Sequence, residues 1–221
     1  MKHFLSLLIA VCAVSVASAQ VETLKPKFVW TIPDIPKSEY ERLSNSYMEG
    51  VLSSSVYDLL YTEGASWYDM ASVAAIYASS SLSSQGSNSY RAANIHDFNH
   101  ETAWVEGVSG HGIGEYVVYE FEMSNPRVTT VYVFNGYVKS AKAWRANSRV
   151  KKLKVYYNDS PIAILELQDS RTIQAFDIGV VGRTGSGPRW SLKFEILEVY
   201  PGSQYQDTAI SELMFSGIDV Y

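Results

Sequence analysis

Oxygen-bearing side chains gather in a short turn that runs into an aromatic residue. Asp97, Asn99 and Thr102 all precede Trp104 in this turn. Carboxylate, amide and hydroxyl oxygens suit a hard cation such as calcium, so the turn predicts a structural calcium site. One alternative stays open at this point. Asp97 can cap its own turn while Thr102 bonds to the backbone, with no metal present.

Two neighbouring sequence patterns are weaker candidates for a binding site. His96 and His100 are spaced for a shared transition metal on a helix, but this stretch is predicted to be a turn, so we expect solvated histidines. The glycine-rich run from Gly110 to Gly114 lacks the spacing of a dinucleotide fingerprint and precedes a strand rather than a helix. It is therefore predicted to be a tight loop.

Acidic residues close in sequence raise the possibility of catalysis. Glu101, Glu106 and Glu115 could form the paired carboxylates of a glycoside hydrolase. The chain has no Gly-x-Ser-x-Gly elbow and no recognisable nucleophile–base constellation. We therefore expect no enzymatic activity, and a secreted glycan-active hydrolase is the third hypothesis.

The N-terminus has the features of a secretory signal. A basic start is followed by an apolar run from Phe4 to Val16 and by Ala17-Ser18-Ala19, which predicts a signal peptide over residues 1–19. The alternative is an N-terminal membrane anchor. Cys12, the only cysteine, lies inside this signal, so we expect a secreted chain without disulfides or thiol chemistry.

Charge and hydropathy limit the classes of partner that the chain can bind. The 221-residue chain has a formal net charge of −5 and no basic run, which argues against nucleic acid as a partner. No second apolar stretch is long enough to span a membrane. Residues 20–77 contain Pro26, Pro33 and Pro36 near their start and are predicted to be an arm or linker, partly helical over 38–62, that could bind a protein partner. Residues from Trp67 to Ala78 fit a short helix or the entry to a first strand.

The rest of the chain is rich in short segments of β-branched and aromatic residues. Leu153, Val155 and Tyr157 alternate with polar or amphipathic neighbours, as do Leu192 and Phe194, which predicts strands with one buried face. Many short strands without intervening helices indicate an antiparallel sandwich or barrel. The predicted strands are Tyr116–Phe121, Val128–Phe134, Leu153–Tyr157, Ile162–Leu167, Thr172–Ile178, Leu192–Val199 and Ile210–Phe215.

An ordered series of motifs links this region to a known family. The motifs, between about Ala78 and Tyr221, are Ala78–Leu82, Tyr90–Asn94 and Asp97, Thr102–Gly107, Gly110–Glu115, Asn135–Lys139, Asn147–Lys151, Tyr200–Gly202 and Asp207–Leu213. With these motifs in this order, the chain resembles the NAD glycohydrolase translocation-type discoidin-like domain (F5/8 type C-like), also called the NADase-type glycan-binding domain. One departure is Phe98-Asn99, where the family usually carries glycine and aspartate.

The resemblance implies an all-β architecture and a ligand set for the cation. It predicts a discoidin or galactose-binding-like jelly-roll β-sandwich over residues 78–221, with ligand loops at one end. Related modules hold a structural calcium, and the positions that match are Asp97, Asn99, Thr102 and Glu212. Glycan binding is only weakly implied, because this fold hosts many ligands.

The aromatic residues suggest where a ligand would bind. Trp104 lies within the turn motif and is predicted to be core, whereas Trp144 lies in a polar segment, Ser140–Ser148, between two strands. An exposed Trp144 could stack on a sugar ring; the alternative is that Trp144 covers one end of the core. The predicted ligand-binding residues are Trp144, Arg145, Asn135, Tyr137, Lys139, Asn147 and Arg149.

These observations favour a secreted, non-catalytic β-sandwich that binds a carbohydrate through loops at one end. The second hypothesis is a module for protein binding, adhesion or toxin translocation. A large exposed apolar patch beside the sandwich would favour that second hypothesis.

Overall fold

The computed structural model describes residues 21–31, 65–183 and 187–219. The helices are α1 (Ala65–Met70), α2 (Ala141–Ala146) and a 3-10 helix (Ala92–His96). The strands are β1 (Glu22–Leu24), β2 (Phe28–Thr31), β3 (Val73–Ala78), β4 (Trp104–Val105), β5 (Tyr116–Glu122), β6 (Arg127–Asn135), β7 (Ser148–Tyr157), β8 (Ser160–Glu166), β9 (Thr172–Val181), β10 (Arg189–Tyr200) and β11 (Thr208–Ile218). The predicted signal peptide at 1–19 and the predicted helical segment at 38–62 lie outside the described residues.

All seven strands that the alternation predicted are present, as β5 to β11. In β10, Trp190, Leu192 and Phe194 are buried while the residues between them face solvent in part, which is the expected period of two. The turn predicted between β7 and β8 is also present. Asn158 and Asp159 both have positive φ, at 45° and 66°, which matches a tight hairpin turn between antiparallel strands.

The strands form two sheets that join along one short parallel contact. One sheet has the order β2-β9-β6-β11 and the other β8-β7-β10-β5-β3, and β11 pairs with β7 only through Thr208 and Ala209. The two sheets fold over each other and bury apolar residues from both inner faces. The fold is therefore an all-β jelly-roll β-sandwich, as the sequence predicted.

Aromatic contacts fill the space between the sheets. Tyr119 of β5 meets Phe215 of β11 edge to face, with ring centroids 4.9 Å apart. Phe121 stacks on Trp190 at 4.2 Å. Such rings bury a large apolar area, and their paired geometry adds about 0.5–1.5 kcal/mol per contact beyond that burial. Trp104 is fully buried in the same core, as predicted.

Residues before the main run of strands also belong to the packed unit. β1 extends one sheet by pairing with β8, and β2 extends the other by pairing with β9, so residues 21–31 lie along the edges of both sheets. Trp67 of α1 is buried in the main core. Packing thus starts ahead of the domain boundary that the sequence placed at residue 78. Within the described ranges, no helix is long and apolar enough to cross a membrane.

Candidate functional site

A cavity of about 360 Å³ opens beside helix α2, at the end of the sandwich where β6 ends and β11 begins. Its volume falls in the range of small-molecule sites, roughly 300–1,000 Å³. Leu82, Tyr90, Val105, Ala143 and Ala146 form its apolar part. The polar and aromatic part consists of Gln85, Tyr137, Lys139, Ser140, Lys142, Asn147, Gln204, Tyr205 and Asp207.

Helix α2 is held in place by hydrogen bonds at both of its ends. The Ser140 hydroxyl caps the first turn by accepting from the Ala143 N–H at 3.1 Å. At the other end, the Ala146 carbonyl accepts from the backbone N–H groups of Gln204 at 3.1 Å and Tyr205 at 2.8 Å. The loop that carries Tyr205 is therefore fixed to the helix, and the cavity wall is preformed. The sequence had predicted a polar loop over Ser140–Ser148, and most of that segment is helix α2.

Two tyrosine side chains give the cavity a surface suited to a sugar ring. Tyr137 packs edge to face on the buried Tyr90, with ring centroids 6.4 Å apart. Burial, followed by the neighbouring Tyr90 and Glu101, raises the pKa of the Tyr137 hydroxyl, so it stays a neutral donor at physiological pH. Tyr205 is 47% exposed at the mouth of the cavity. Aromatic faces beside amide and charged groups can stack on a pyranose and bond its hydroxyls.

Trp144 does not present a free ring to this cavity. Its indole N–H donates to the Asn135 carbonyl at 2.9 Å, and the Arg149 guanidinium lies 4.7 Å from the ring centroid. The ring packs on a small second core beneath the outer face of β6 and β9. Gly136, with φ +85°, permits this packing, because a Cβ there would lie 2.5–2.8 Å from the side chains of Arg149 and Trp144. The structure therefore gives Trp144 a packing role, as the alternative interpretation held, but on this second cluster rather than at the end of the main core.

Two other predicted ligand residues need the same correction. Asn135 has no exposed surface, and its amide is fully engaged with Val150: Nδ2 donates to the carbonyl at 2.7 Å and Oδ1 accepts from the N–H at 2.9 Å. Arg149 is 7% exposed and forms a bidentate ion pair with Asp169. Its guanidinium also donates hydrogen bonds to the backbone carbonyls of Asn147 and Pro201. Both side chains therefore use their hydrogen bonds within the fold and are not placed to bind a ligand.

The structure brings part of the predicted ligand set together. Tyr137, Lys139 and Asn147 line the cavity, and Arg145 lines a second, more open cavity of about 450 Å³ on the other side of α2. Sequence reasoning missed Tyr90, Lys142, Tyr205 and Asp207. Lys142 lies three residues before Arg145 in an alanine-rich segment, a spacing that would have placed both cations on one helical face.

The Asp97 turn lies against β11, as a clasp between the start and the end of the sandwich. The Asn99 N–H donates to both Asp97 Oδ1 at 3.1 Å and Glu212 Oε1 at 2.7 Å, so the two carboxylates meet at one point of the turn. The Thr102 hydroxyl donates to Asp97 Oδ2 at 2.8 Å. These contacts bring Asp97, Asn99, Thr102 and Glu212 together, as the resemblance implied.

One specific observation shows that calcium would fit this arrangement. Glu212 is buried, and its Oε2 has no hydrogen-bond partner among the described residues. Burial, and after it the charge of Asp97, holds the pKa of the Glu212 carboxyl well above its usual range. A cation between Asp97 and Glu212 would satisfy the unpaired oxygen and offset the repulsion. The hydrogen bonds of the metal-free alternative, from Asn99 to Asp97 and from Thr102 to the Asn99 carbonyl, are also present.

The described residues contain no cluster of three or more histidine, cysteine or acidic side chains spaced for a metal ion. His96 turns into the aromatic core, where its Nδ1 lies 2.8 Å from the Leu213 carbonyl. Burial lowers the pKa of His96, in keeping with a neutral ring. It is therefore a partly buried residue packed against Tyr119 and Phe215 of the core, not the solvated one that the sequence predicted.

Two of the three predicted acidic residues, Glu106 and Glu115, have structural roles. Glu106 has no exposed surface and accepts from the backbone N–H groups of Thr208 at 3.1 Å and Val108 at 2.9 Å, which anchors the glycine-rich loop to β11. Burial raises its pKa. Glu115 accepts from the hydroxyl of Ser79 at 2.6 Å and from that of Ser80. Neither carboxylate lines the cavity beside α2.

Comparisons with solved structures define the class of fold. The chain is similar to the CBM32-1 and CBM32-2 domains of ZmpB from Clostridium perfringens, with a TM-score of 0.50, 10% identity and coverage of 92% of this chain and 43% of that one. The same domains in complex with GalNAc give a TM-score of 0.51 at 10% identity, with 91% and 42% coverage. This chain thus spans less than half the length of these structures. At such identity the likeness shows the fold, a discoidin-like β-sandwich.

Sequence comparison then gives the family. Residues 67–216, more than half of the chain, match the NAD glycohydrolase translocation F5/8 type C domain. The chain belongs to this family, which confirms the resemblance seen in its motifs. No curated protein matches the sequence significantly.

Proposed function

We propose that this protein is a secreted, non-catalytic carbohydrate-binding module and that its site is the cavity beside α2. The observation that carries the proposal is the preformed cavity of about 360 Å³ that combines Tyr137 and Tyr205 with amide and charged groups. A sugar needs an apolar face to stack on and a few directional donors and acceptors, and this lining offers both. The GalNAc complex of the structurally similar Clostridium perfringens domains supports the same ligand class.

A single shallow site limits the affinity. Few ligand atoms can be buried, so we expect a Kd of roughly micromolar to millimolar for a monosaccharide. The neighbouring carboxylates support a binding role over catalysis, because Glu106 and Glu115 are used within the fold and Asp207 is the only acid among the cavity residues. Hydrolysis of a glycosidic bond usually requires a pair of carboxyl groups.

Tyr205 offers a sharp test with a matched control. Tyr205→Ala should weaken binding of galactose or N-acetylgalactosamine about tenfold by isothermal titration calorimetry, about 1.4 kcal/mol. Tyr77→Ala removes a tyrosine of nearly equal exposure, 48%, on strand β3 outside the cavity, and should leave the Kd unchanged. Equal loss in both variants, or loss in neither, would contradict this assignment.

We further propose that Asp97, Asn99, Thr102 and Glu212 hold a structural calcium, with backbone oxygens completing its shell. Two carboxylates and a buried, unpaired Oε2 support this proposal. Removal of calcium with a chelator should then lower the melting temperature of the wild-type protein, and Glu212→Gln should abolish that sensitivity. A wild-type melting curve that does not change after thorough chelation and re-addition of calcium would contradict the calcium site.

Secretion is the remaining part of the proposal. It rests on the basic start, the apolar run and the Ala17-Ser18-Ala19 motif. Expression of the full chain in a secreting host should yield a mature protein that begins at Gln20 by intact-mass measurement. A product that retains residues 1–19 would contradict cleavage.

A further inference from the structure

Three cationic side chains cluster around helix α2, and the described residues provide no ion-pair partner for them. They are Lys139, Lys142 and Arg145. Lys139 and Lys142 line the first cavity, and Lys142 and Arg145 line the second. Most other cations of the described chain are paired with carboxylates. The pairs are Lys25–Glu166, Lys27–Asp177, Arg127–Asp219, Arg149–Asp169, Lys151–Glu198, Lys152–Glu198, Arg183–Asp219 and Arg189 with Glu120 and Glu122.

The two cavities are neighbours that share part of their walls. Lys142, Ala146 and Gln204 line both of them. The second cavity has no acidic residue in its lining, and in the first Asp207 is the only one. The charge of Arg149, which also lines the second cavity, is already balanced by Asp169 at 2.9 Å. Lys142 and Arg145 therefore leave an uncompensated positive charge next to the proposed sugar site.

This concentration of positive charge is unexpected for the chain as a whole. The formal net charge is −5, so a random patch of the surface would on average be acidic. An uncompensated positive cavity attracts an anionic group, and the attraction is stronger where the low-dielectric wall of the protein reduces screening. The loop hydrogen-bonded to Ala146 holds Gln204 and Tyr205 beside the cations, so the positive surface and the aromatic surface form one site.

We infer that the ligand is an acidic sugar, with its ring in the first cavity and its carboxylate or sulfate group in the second, near Lys142 and Arg145. This inference rests on the proposed function and specifies its ligand class. The size of the first cavity and the tyrosines that line it favour a sugar over a nucleic acid or a lipid surface. A polyanion held by charge alone would not need an aromatic surface beside the cations.

The test compares sugars that differ only in the group at C6, which is neutral in one and anionic in the other two. Galactose, galacturonic acid and galactose 6-sulfate share one ring, so their affinities at low and high salt isolate the effect of the anionic group and of its type. We expect at least one of the two acidic sugars to bind the wild-type protein about tenfold more tightly than galactose, with a preference that shrinks at high salt. Lys142→Gln combined with Arg145→Gln should reduce this preference to about twofold or less.

A second double variant controls for net charge. Lys154→Gln combined with Lys193→Gln removes the same charge from strands β7 and β10, outside both cavities, and should retain the preference. Equal binding of all three sugars to the wild type would overturn this inference while leaving the proposed function intact. A preference that survives in the Lys142/Arg145 variant would also overturn it. Binding of none of the sugars would overturn both, and a DNA duplex that competes as well as the acidic sugar would show attraction by charge alone.

Discussion

Replacement of Asn135 by alanine separates a structural residue from a ligand-binding one. The sequence placed Asn135 in the ligand site, whereas in the structure its amide bridges both backbone groups of Val150 without any exposed surface. Alanine would leave the Val150 N–H and C=O buried without these partners. A buried polar group left unsatisfied costs about 1–3 kcal/mol, so the two together should lower the free energy of unfolding by about 2–6 kcal/mol.

That loss is large beside the total stability of a domain, which is about 5–15 kcal/mol. For a domain of this size each kcal/mol lowers the melting temperature by roughly 2–4 °C, so we expect a decrease of roughly 5–20 °C by calorimetry. Asn88→Ala is the matched control, because Asn88 is exposed and only its backbone contributes a described hydrogen bond. It should change the unfolding free energy by less than about 0.5 kcal/mol.

The opposite pattern would refute the reasoning. If Asn135→Ala melted within a degree or two of the wild type and lost sugar binding, Asn135 would be a ligand residue and the described packing around Val150 would be wrong. If Asn135→Ala melted at about the same temperature as Asn88→Ala, the described hydrogen bonds between Asn135 and Val150 would also be contradicted.

Three further perturbations test the packing and the electrostatics. Gly217→Ala should lower stability by about 1–3 kcal/mol in denaturant titrations, because its Cβ would lie 1.8 Å from the Arg127 carbonyl oxygen across the β6–β11 pair; wild-type stability would contradict that close approach. Trp67→Ala should cost about 3–5 kcal/mol if residues before 78 belong to the core, and a neutral change would place Trp67 outside it. Carbon-detected NMR should find the pKa of Glu106 above the usual glutamate range. Because the pKa of Glu106 is raised in the folded protein, its contribution to stability is full at low pH and is lost as the pH rises through the pKa of the folded state. A Glu106 pKa at or below the usual glutamate value would contradict the burial described.

The strands were predictable because their pattern is local. Each of β5 to β11 carries enough alternating or β-branched residues to fix its type from a short window, and Trp104 could be assigned to the core from its motif. The edge strands β1 and β2 were not predicted as strands, since three or four residues carry no reliable period. Their position depends on pairing with β8 and β9, which lie more than a hundred residues away.

The structure separates the predicted ligand residues into two groups, for a physical reason. Tyr137, Lys139 and Asn147 line the cavity because they follow β6 and flank α2 at that end of the sandwich. Asn135 and Arg149 have the same polar character in the sequence, and only their three-dimensional partners show that their hydrogen bonds are already used. Tyr205 was missed because its role depends on how its loop bonds to the end of α2.

Chemical-shift mapping tests the central claim most directly. When galactose, N-acetylgalactosamine or galacturonic acid is added to the isotope-labelled protein, the largest backbone amide shifts should lie in residues 137–147 and 202–207, which border the cavity beside α2. Shifts concentrated instead on the Asp97 turn, or on the outer sheet face around Tyr77, would contradict the account. Saturation without any shift at Tyr205 would do so as well.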